Sequence, residues 1–179
     1  MHTLNHFYAK TLKFDLLNKF YYTNLKKLPK LKKIILNFNC KTTDLKTLST
    51  HLLALELVTH QKGVLTVSKH PNLFLKIRKG NPIGCKVILK KTSVLKFLSK
   101  SLNEIFPKTK NFDAVIVDRK KKDTNFSFAI KDNLNFPELS ENYYLFNDLS
   151  DLNLSIVTTA KTKKETTFLL KSLQIPLRS

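Results

Sequence analysis

Residues 78–90 read RKGNPIGCKVILK and contain a predicted turn followed by a predicted strand. The Gly-Asn-Pro sequence at 80–82 favours a turn, because glycine accepts positive φ and proline restricts its own φ to turn values. Val87 and Leu89 then recur at alternate positions, which is the two-residue period of a strand with one buried side. The opposite side holds Lys86, Ile88 and Lys90. The segment therefore predicts a half-buried strand that presents lysines away from the core.

The same alternation occurs elsewhere in the chain. Ile34, Leu36 and Phe38 occupy alternate positions, which predicts the apolar side of another strand. Its other side carries Ile35, Asn37 and Asn39. Further strands are predicted at residues 64–68, 73–78, 114–118, 126–130 and 154–159. The basic segment 119–125 is predicted to be a hairpin tip or a loop.

Apolar residues at three- and four-residue spacing predict four helices. The first covers residues 4–20, and the second begins after a capping Asp44 and is followed by Gly63 as a turn residue. The third starts near Ser93, and the last begins with the capping box Thr-Lys-Lys-Glu at 162–165. The predicted buried stripes include Leu12, Leu16, Leu45, Leu48, Leu55, Val58, Val94, Leu98, Leu169 and Leu170.

The chain is strongly basic and prefers lysine to arginine. Among 179 residues it has 32 Lys and Arg against 13 Asp and Glu, a formal net charge of +19. Such a charge opposes folding unless a polyanion is bound, so the sequence predicts a nucleic acid or an anionic membrane as partner. Arginine occurs only at 78, 119 and 178, and lysine binds phosphate as a mobile point charge. The lysine-rich, tryptophan-free composition is typical of an AT-rich genome and favours an organellar gene.

Sequence signatures of catalysis, metal binding and membrane insertion are absent. The five histidines form no HExxH motif and the three glycines build no phosphate loop, so we expect no enzyme, no cofactor and no metal. Asp148 and Asp151 are interpreted as capping or ion-pairing residues rather than a catalytic pair. Cys40 and Cys85 are interpreted as small buried hydrophobic residues. The chain has no apolar run of about 18 residues, so no membrane span is predicted. We also expect no membrane partner.

Strands and helices in this order predict an α+β fold, with a mostly antiparallel sheet, helices on one face and the other face free to bind. We expect residues 1–28 to form an N-terminal helical segment that packs on the domain, and residues 29–179 to form a single α+β RNA-binding domain. Phe74 is interpreted either as a packing residue or as a platform for base stacking. The candidate phosphate-binding cations are Lys30 and five residues predicted on the outward sides of strands, Lys32, Lys76, Arg78, Lys86 and Lys90. Solvated strand edges are the alternative reading of these cations.

Residues 78–87 (RKGNPIGCKV) and 156–162 (IVTTAKT) are two long and specific motifs. They resemble the R-x-G-x-P-I-G-x-K-V and I-V-T-T-A-K-T segments of the large-subunit ribosomal protein five family. Shorter similarities to the family occur in the same order at residues 29–37, 58–62, 135–138 and 175–178. The resemblance extends from about residue 10 to residue 178, nearly the whole chain.

The resemblance implies a protein of the central protuberance that holds 5S rRNA against the open sheet face, beside other large-subunit rRNA and neighbouring ribosomal proteins. Asn37 and Gln61 match family positions that contact this RNA, whereas a third position, a threonine in the family, is Ile88 here. The family also extends a loop toward the peptidyl-site tRNA and forms an intersubunit bridge with the small-subunit head. The corresponding loop residues are Ser68, Lys69, His70, Pro71 and Asn72, and we expect Lys69 to present a charge at the tip of the loop.

The bacterial members of this family carry more acidic residues and fewer lysines, so the composition implies a mitochondrial ribosome. A plastid and a low-GC bacterial cytoplasm are the alternatives. From charge alone, a non-ribosomal basic RNA-binding protein and a protein held at a membrane surface stay open as functions. An enzyme is the least favoured class, because no acid-base or metal constellation is visible.

Overall fold

The computed structural model describes residues 3–40, 44–109, 115–116, 125–175 and 177–178. The chain divides into two compact units. Unit 1 comprises Met1–Ile34, Lys90–Ser127 and Ser155–Ser179, and unit 2 comprises Ile35–Leu89 and Phe128–Leu154. The predicted division into residues 1–28 and 29–179 stays a prediction.

The described strands are β1 (Leu31–Asn39), β2 (Val64–Val67), β3 (Pro82–Lys90), β4 (Val115–Ile116), β5 (Phe126–Ile130), β6 (Leu152–Thr158) and β7 (Leu177–Arg178). Five of them form one sheet in the order β2-β3-β1-β6-β5, and β4 pairs with β7 in a separate parallel ribbon. Strand β2 runs antiparallel to β3. The α+β fold with a mostly antiparallel sheet is confirmed.

The described helices are α1 (Thr3–Phe7), α2 (Lys13–Lys19), α3 (Leu45–Thr59), α4 (Thr92–Lys100), α5 (Pro137–Ser140), α6 (Tyr143–Phe146) and α7 (Lys163–Ser172). A π-helical turn at Tyr8–Leu12 connects α1 directly to α2, and another at Ser101–Ile105 extends α4. The predicted helices at 4–20 and from about 93 are therefore confirmed as helical segments that contain π turns.

Strands β1 and β3 each have one buried side. The buried side chains are Ile34, Leu36, Phe38, Cys85, Val87 and Leu89, none of them more than 3% exposed. Because side chains alternate across a strand, the residues between them point to the other face. Both predicted alternations are confirmed.

In unit 1 the N-terminal helices are held by Leu12 and Leu16, which are both fully buried. Phe20 contacts the edge of Phe168 of α7, with 5.8 Å between ring centroids. Lys19 Nζ lies 4.2 Å from the centroid of the same ring, a cation–π contact that covers an aromatic surface with a charged side chain. These contacts tie the end of α2 to α7.

Helix α7 begins with the predicted capping box. Thr162 Oγ1 accepts a hydrogen bond from the Glu165 N–H at 3.4 Å, and Glu165 Oε2 accepts one from the Thr162 N–H at 3.4 Å. Two backbone donors of the first turn are thereby satisfied. Leu169 and Leu170 are fully buried, as predicted.

In unit 2, His51 joins α3 to the residues that precede β6. The ring is 4% exposed, and its Nε2 accepts a hydrogen bond from the Ser150 N–H at 3.0 Å. Nδ1 lies 2.6 Å from the Thr47 carbonyl oxygen and donates to it, so the buried imidazole is the neutral Nδ1–H tautomer. Phe38 packs edge-on against the ring at 5.2 Å.

The start and end of α3 differ from the prediction. Asp44 precedes the helix but its side chain makes no capping hydrogen bond. Leu45, predicted to be buried, is 80% exposed because it is the first helical residue and nothing described packs over it. The helix ends with His60 in the left-handed conformation at φ 53°, so His60 rather than Gly63 closes it.

Three strands predicted at 64–68, 126–130 and 154–159 are confirmed within a few residues by β2, β5 and β6. Of the strand predicted at 114–118, the described part is Val115–Ile116, and it pairs with β7. Residues 119–124 of the predicted basic loop lie outside the described residues. The strand predicted at 73–78 is wrong, and its residues form the loop described below.

Gly84 lies where β3 passes close to β1. A Cβ atom at this position would clash with the backbone carbonyl oxygen of Phe38 and would lie 3.0 Å from Thr66 Oγ1. A Cβ at Gly63 would instead lie 2.5 Å from Cδ1 of Leu52, the end of a flexible side chain. Backbone cannot move aside as cheaply as a side-chain terminus, so Gly84 is the more constrained position.

We predict that Gly84→Ala lowers the free energy of unfolding by about 1–3 kcal/mol, the usual cost of forcing atoms into a packed site. Gly63→Ala is the matched control and should lower it less, because Leu52 can rotate away. Urea unfolding followed by circular dichroism measures both. Equal losses in the two variants would contradict the close approach of β3 to β1.

Candidate nucleic-acid interface

Unit 2 presents a sheet surface opposite its buried side chains. Strand pairing sets Val64 against Lys86 and Thr66 against Gly84, so these four positions share one face. We define the open face by Ile35, Asn37, Asn39, Val64, Thr66, Gly84, Lys86 and Ile88. It combines aliphatic, small, amide and lysine side chains, of which the amides and the lysine can hydrogen-bond a polyanion.

Two asparagines of β1 form an amide pair on the open face. Asn37 Nδ2 donates a hydrogen bond to Asn39 Oδ1 at 2.7 Å. Asn37 Oδ1 is buried and accepts no hydrogen bond from the described residues. The pair therefore orients the Asn37 amide and leaves it an unused acceptor, and a buried acceptor gains free energy when a donor reaches it.

Gln61 lies in the connection between α3 and β2 and is half-buried. Thr59 Oγ1 donates to its carbonyl oxygen at 3.4 Å, and Glu56 Oε1 accepts from the Gly63 N–H at 2.8 Å. These bonds hold the connection at the edge of the sheet, beside the strand that leads into the open face. Gln61 is thus placed next to the open face rather than on a strand of it.

The predicted cations are divided between the two units. Lys86 lies half-buried on the open face, and Lys90 is exposed at the end of β3 in unit 1. Lys30, also in unit 1, is exposed before β1. Lys32 was predicted on the outward side of β1, but by alternation it shares the side of Ile34, two residues away. It is exposed near the start of the strand, and its role in rRNA binding stays a prediction.

Lys76 and Arg78 were predicted on the outward side of a strand, and this is also wrong. The backbone of residues 68–81 forms a projecting loop instead. A single antiparallel bridge joins Asn72 and Ile77, with both N–H···O distances at 2.9 Å. Lys76 has a positive φ of 51°, which turns the chain back before the bridge.

Ser68 anchors the base of this loop, which we call the 68–81 loop. Its N–H donates to the Asn81 carbonyl oxygen at 2.8 Å, and its carbonyl oxygen accepts from the Gly80 N–H at 3.0 Å. The Ser68 hydroxyl donates to the His70 carbonyl oxygen, and the residue is 8% exposed. Ser68 is therefore a structural residue of the loop, whereas Lys69, His70, Pro71 and Asn72 are exposed.

The tip of the 68–81 loop is apolar. Leu73 is 91% exposed and Phe74 is fully exposed, so Phe74 does not pack in the core. Ile77 is 6% exposed and holds the loop to the body of unit 2. The sequence prediction put a charged Lys69 at the tip and missed this exposed apolar turn.

The two units differ greatly in charge. Unit 1 has 23 Lys and Arg against 6 Asp and Glu, a net charge of +17. Unit 2 has 9 against 7, a net charge of +2. Residues 132–160 contain five acidic residues and no lysine or arginine. Most of the attraction for polyanions therefore comes from unit 1, and the acidic residues at 132–160 repel polyanions.

That stretch includes a surface that the sequence analysis missed. Tyr143 and Tyr144 of α6 are 49% and 97% exposed, and their rings meet edge-on at 6.2 Å. We define the acidic tyrosine surface by Glu141, Tyr143, Tyr144, Leu145 and Asp148, all exposed. Phe146, 1% exposed, anchors it. The run of acidic residues without a lysine was the signal that could have found it.

Cys85 is buried, as the sequence analysis predicted. Burial, with a smaller effect from Cys40, raises the pKa of the Cys85 thiol to about 12, so it stays protonated and is a poor nucleophile or metal ligand. Within the described ranges, no cluster of three or more His, Cys, Asp and Glu side chains could hold a metal ion. None of the described helices is long and apolar enough to cross a membrane.

Comparison with known proteins identifies the family. Residues 82–177 match the model of the C-terminus of the ribosomal L5 family. Large ribosomal subunit protein uL5m of Reclinomonas americana is 41% identical over 179 residues, covering 99% of this chain and 98% of the relative. Protein uL5 of Geotalea uraniireducens is 33% identical over 181 residues with both chains fully covered, and uL5 of Malacoplasma penetrans is 33% identical over 174 residues, covering 94% and 90%. The chain belongs to the ribosomal L5 family.

Proposed function

We propose that this chain is a structural constituent of the large ribosomal subunit and binds 5S rRNA with the open face, within the central protuberance. The amide pair of Asn37 and Asn39 is the observation that carries the proposal. It is an oriented polar group with an unused buried acceptor, on the face opposite the buried side chains of β1. The relatives named as large-subunit proteins support the assignment.

The charge distribution supports a division of roles within the RNA contact. Lysines supply affinity through phosphate contacts that carry no sequence information, and oriented amides supply register. Lys86 lies on the same face as the amide pair, while the +17 charge of unit 1 attracts RNA over a longer range. Ile88, 39% exposed, presents an apolar surface at the position where the family has a threonine. We infer that large-subunit rRNA beyond 5S contacts the lysines of unit 1.

We predict that Asn37→Ala weakens 5S rRNA binding by about 1–3 kcal/mol, because a hydrogen bond to a buried acceptor is lost. Asn39→Ala should weaken it less, and should have no further effect in the Asn37→Ala background, since it acts by orienting that amide. The slope of log affinity against log salt should not change, because no ion pair is removed. Filter binding over a salt series measures the affinity and the salt slope of the two single variants and of the double variant.

Asn18→Ala, on the exposed side of α2, is the matched control and should bind like the parent. Loss of affinity in every variant including the control would indicate general damage. Unchanged binding of Asn37→Ala would refute the proposed 5S site. A chain that binds RNA but never co-sediments with large subunits would point instead to a non-ribosomal RNA-binding protein.

We further propose that the 68–81 loop contacts the peptidyl-site tRNA. The apolar tip changes the expected chemistry, because a fully exposed Phe74 suits stacking on a nucleotide base better than ion pairing with a phosphate. Lys69 and Lys76 beside it offer phosphate contacts of lesser specificity. The turn at Lys76 and the bridge below it hold the tip away from the core of unit 2.

Phe74→Ala is expected to weaken retention of peptidyl-site tRNA on assembled ribosomes by about 1–3 kcal/mol, the usual effect of removing one stacking contact. Thermal stability and 5S binding should not change, since the ring contacts no core residue. The variant in which Lys69, His70 and Asn72 are all Ala should lose less retention and show a smaller salt dependence. Normal tRNA retention by Phe74→Ala would contradict the stacking role.

We propose that the acidic tyrosine surface forms the intersubunit contact with a protein of the small-subunit head. Tyrosines with adjacent carboxylates suit a basic protein surface, because the rings provide contact area and the charges orient the partner. The five acidic residues without a lysine at 132–160 make this part of the chain unsuited to RNA.

Tyr144→Ala should weaken joining of the two subunits by about 1–2 kcal/mol, as expected for a central aromatic contact. Asp148→Lys should slow joining at low salt, since it reverses a charge that steers the partner. Tyr21→Ala, also an almost fully exposed tyrosine at 94% but in unit 1, is the control. Light scattering during subunit mixing measures the effect. Equal behaviour of Tyr144→Ala and Tyr21→Ala would exclude this surface from the bridge.

We propose a mitochondrial location, supported by the similarity to the uL5m protein of Reclinomonas americana and by the lysine-rich composition. The bacterial relatives keep a low-GC bacterial cytoplasm as the alternative, together with a plastid. Sequencing the genome that encodes the chain distinguishes these locations.

A further inference from the structure

A groove of about 350 Å³ lies in unit 1, bordered by the N-terminal helices, the start of β1 and the first turn of α4. Val94 and Leu173, both buried, line its floor. Leu4, Leu31 and Leu95 are half-buried and form its walls. The interior is therefore mostly aliphatic, which is the composition of sites that accept apolar side chains.

Tyr8 forms a further wall and is held in place. Its hydroxyl donates to the Pro29 carbonyl oxygen at 2.9 Å, so the ring rather than the hydroxyl faces a ligand. Burial raises the pKa of Tyr8, which keeps the phenol neutral. The groove is consequently preformed on this side and needs little rearrangement to be filled.

Two lysines line the groove, Lys30 and Lys91, and both are exposed. Lys91 has φ 53° and ψ −124°, a conformation that is costly for any residue with a Cβ and is tolerated by glycine. Backbone strain of this kind is more frequent at binding sites than elsewhere.

We propose that the groove binds an acidic segment of another protein, whose apolar side chains fill it while carboxylates lie beside Lys30 and Lys91. Lys30, predicted above as an rRNA-binding cation, and Lys91 are then not among the lysines of unit 1 that contact rRNA. The charge complementarity is the argument for this occupant, since unit 1 has a net charge of +17 and the groove adds an aliphatic interior to two cations. The proposal goes beyond binding to rRNA and assigns a protein partner to unit 1.

RNA suits this groove less well than a peptide. Sites that hold a nucleotide base provide aromatic or guanidinium planes together with groups that read the base edges. Here the lining has one aromatic ring, that of Tyr8, and no guanidinium group, and the tyrosine hydroxyl is already bonded. Apolar grooves with a charged border are instead a common mode of peptide recognition.

The first test places a photocrosslinking residue, p-benzoylphenylalanine, at Leu95 in the full chain and irradiates the native particle that contains it. Leu102, equally half-buried in the π turn that follows α4, is the control position. We expect Leu95 to crosslink to a protein segment that carries Asp or Glu beside apolar residues. A crosslink to RNA, to a basic segment, or none above the Leu102 control would overturn the proposal.

Crosslinking is measured in whichever particle contains the chain. If the chain is absent from the large subunit, the proposed function is refuted, but the crosslinking test of the groove still applies. The second test measures binding of the crosslinked segment, as a synthetic peptide, to the purified chain by fluorescence anisotropy. Lys91→Ala and Lys91→Gly should each bind about fivefold more weakly, and Lys91→Arg should bind like the parent, because only the charge matters.

Lys91→Gly should also raise the thermal midpoint by about 2–4 °C, because it alone relieves the positive φ. Lys91→Ala keeps the strain and should not. Full peptide affinity in Lys91→Gly and Lys91→Ala would remove Lys91 from the site and overturn the charge argument on which the occupant was chosen.

Discussion

The alternation of side chains along β1 is the constraint on which the rest of the structure depends. Ile34, Leu36 and Phe38 are buried, so Asn37 and Asn39 must point to the opposite face. A slip of one residue would bury two amides and expose three large apolar side chains. Gly84 keeps β3 close to β1 in this register, since a Cβ there would clash with the Phe38 carbonyl oxygen. The register that builds the core thus also builds the proposed RNA face.

The spacing of apolar residues predicted the strands and helices that bury one face. It failed where an apolar residue is exposed in a loop instead of packing in the core. Leu73 and Ile77 fit a strand pattern, but only the bridge between Asn72 and Ile77 forms and Lys76 turns the chain. An exposed apolar loop tip can have the same sequence pattern as a short strand. Likewise a lysine at a strand end, such as Lys32, reaches solvent from the buried side. The outward position of Asn37 and the capping box of α7 were predictable because each rests on a local rule.

The four proposed contacts differ in chemistry, which limits competition among partners. The open face combines amides with Lys86, the 68–81 loop presents an apolar tip, and the acidic tyrosine surface carries carboxylates. The groove of unit 1 joins aliphatic walls to lysines. A chain of net charge +19 would otherwise attract polyanions everywhere, so the acidic stretch and the apolar surfaces are where it acquires selectivity for proteins and for bases.

The most direct test of the central claim is a cryo-electron-microscopy map of the large ribosomal subunit that contains this chain. The account predicts 5S rRNA density against the open face, with a donor group within hydrogen-bond distance of Asn37 Oδ1 and a phosphate near Lys86. Protein or solvent over the open face, with 5S rRNA bound through other surfaces of the chain, would contradict it.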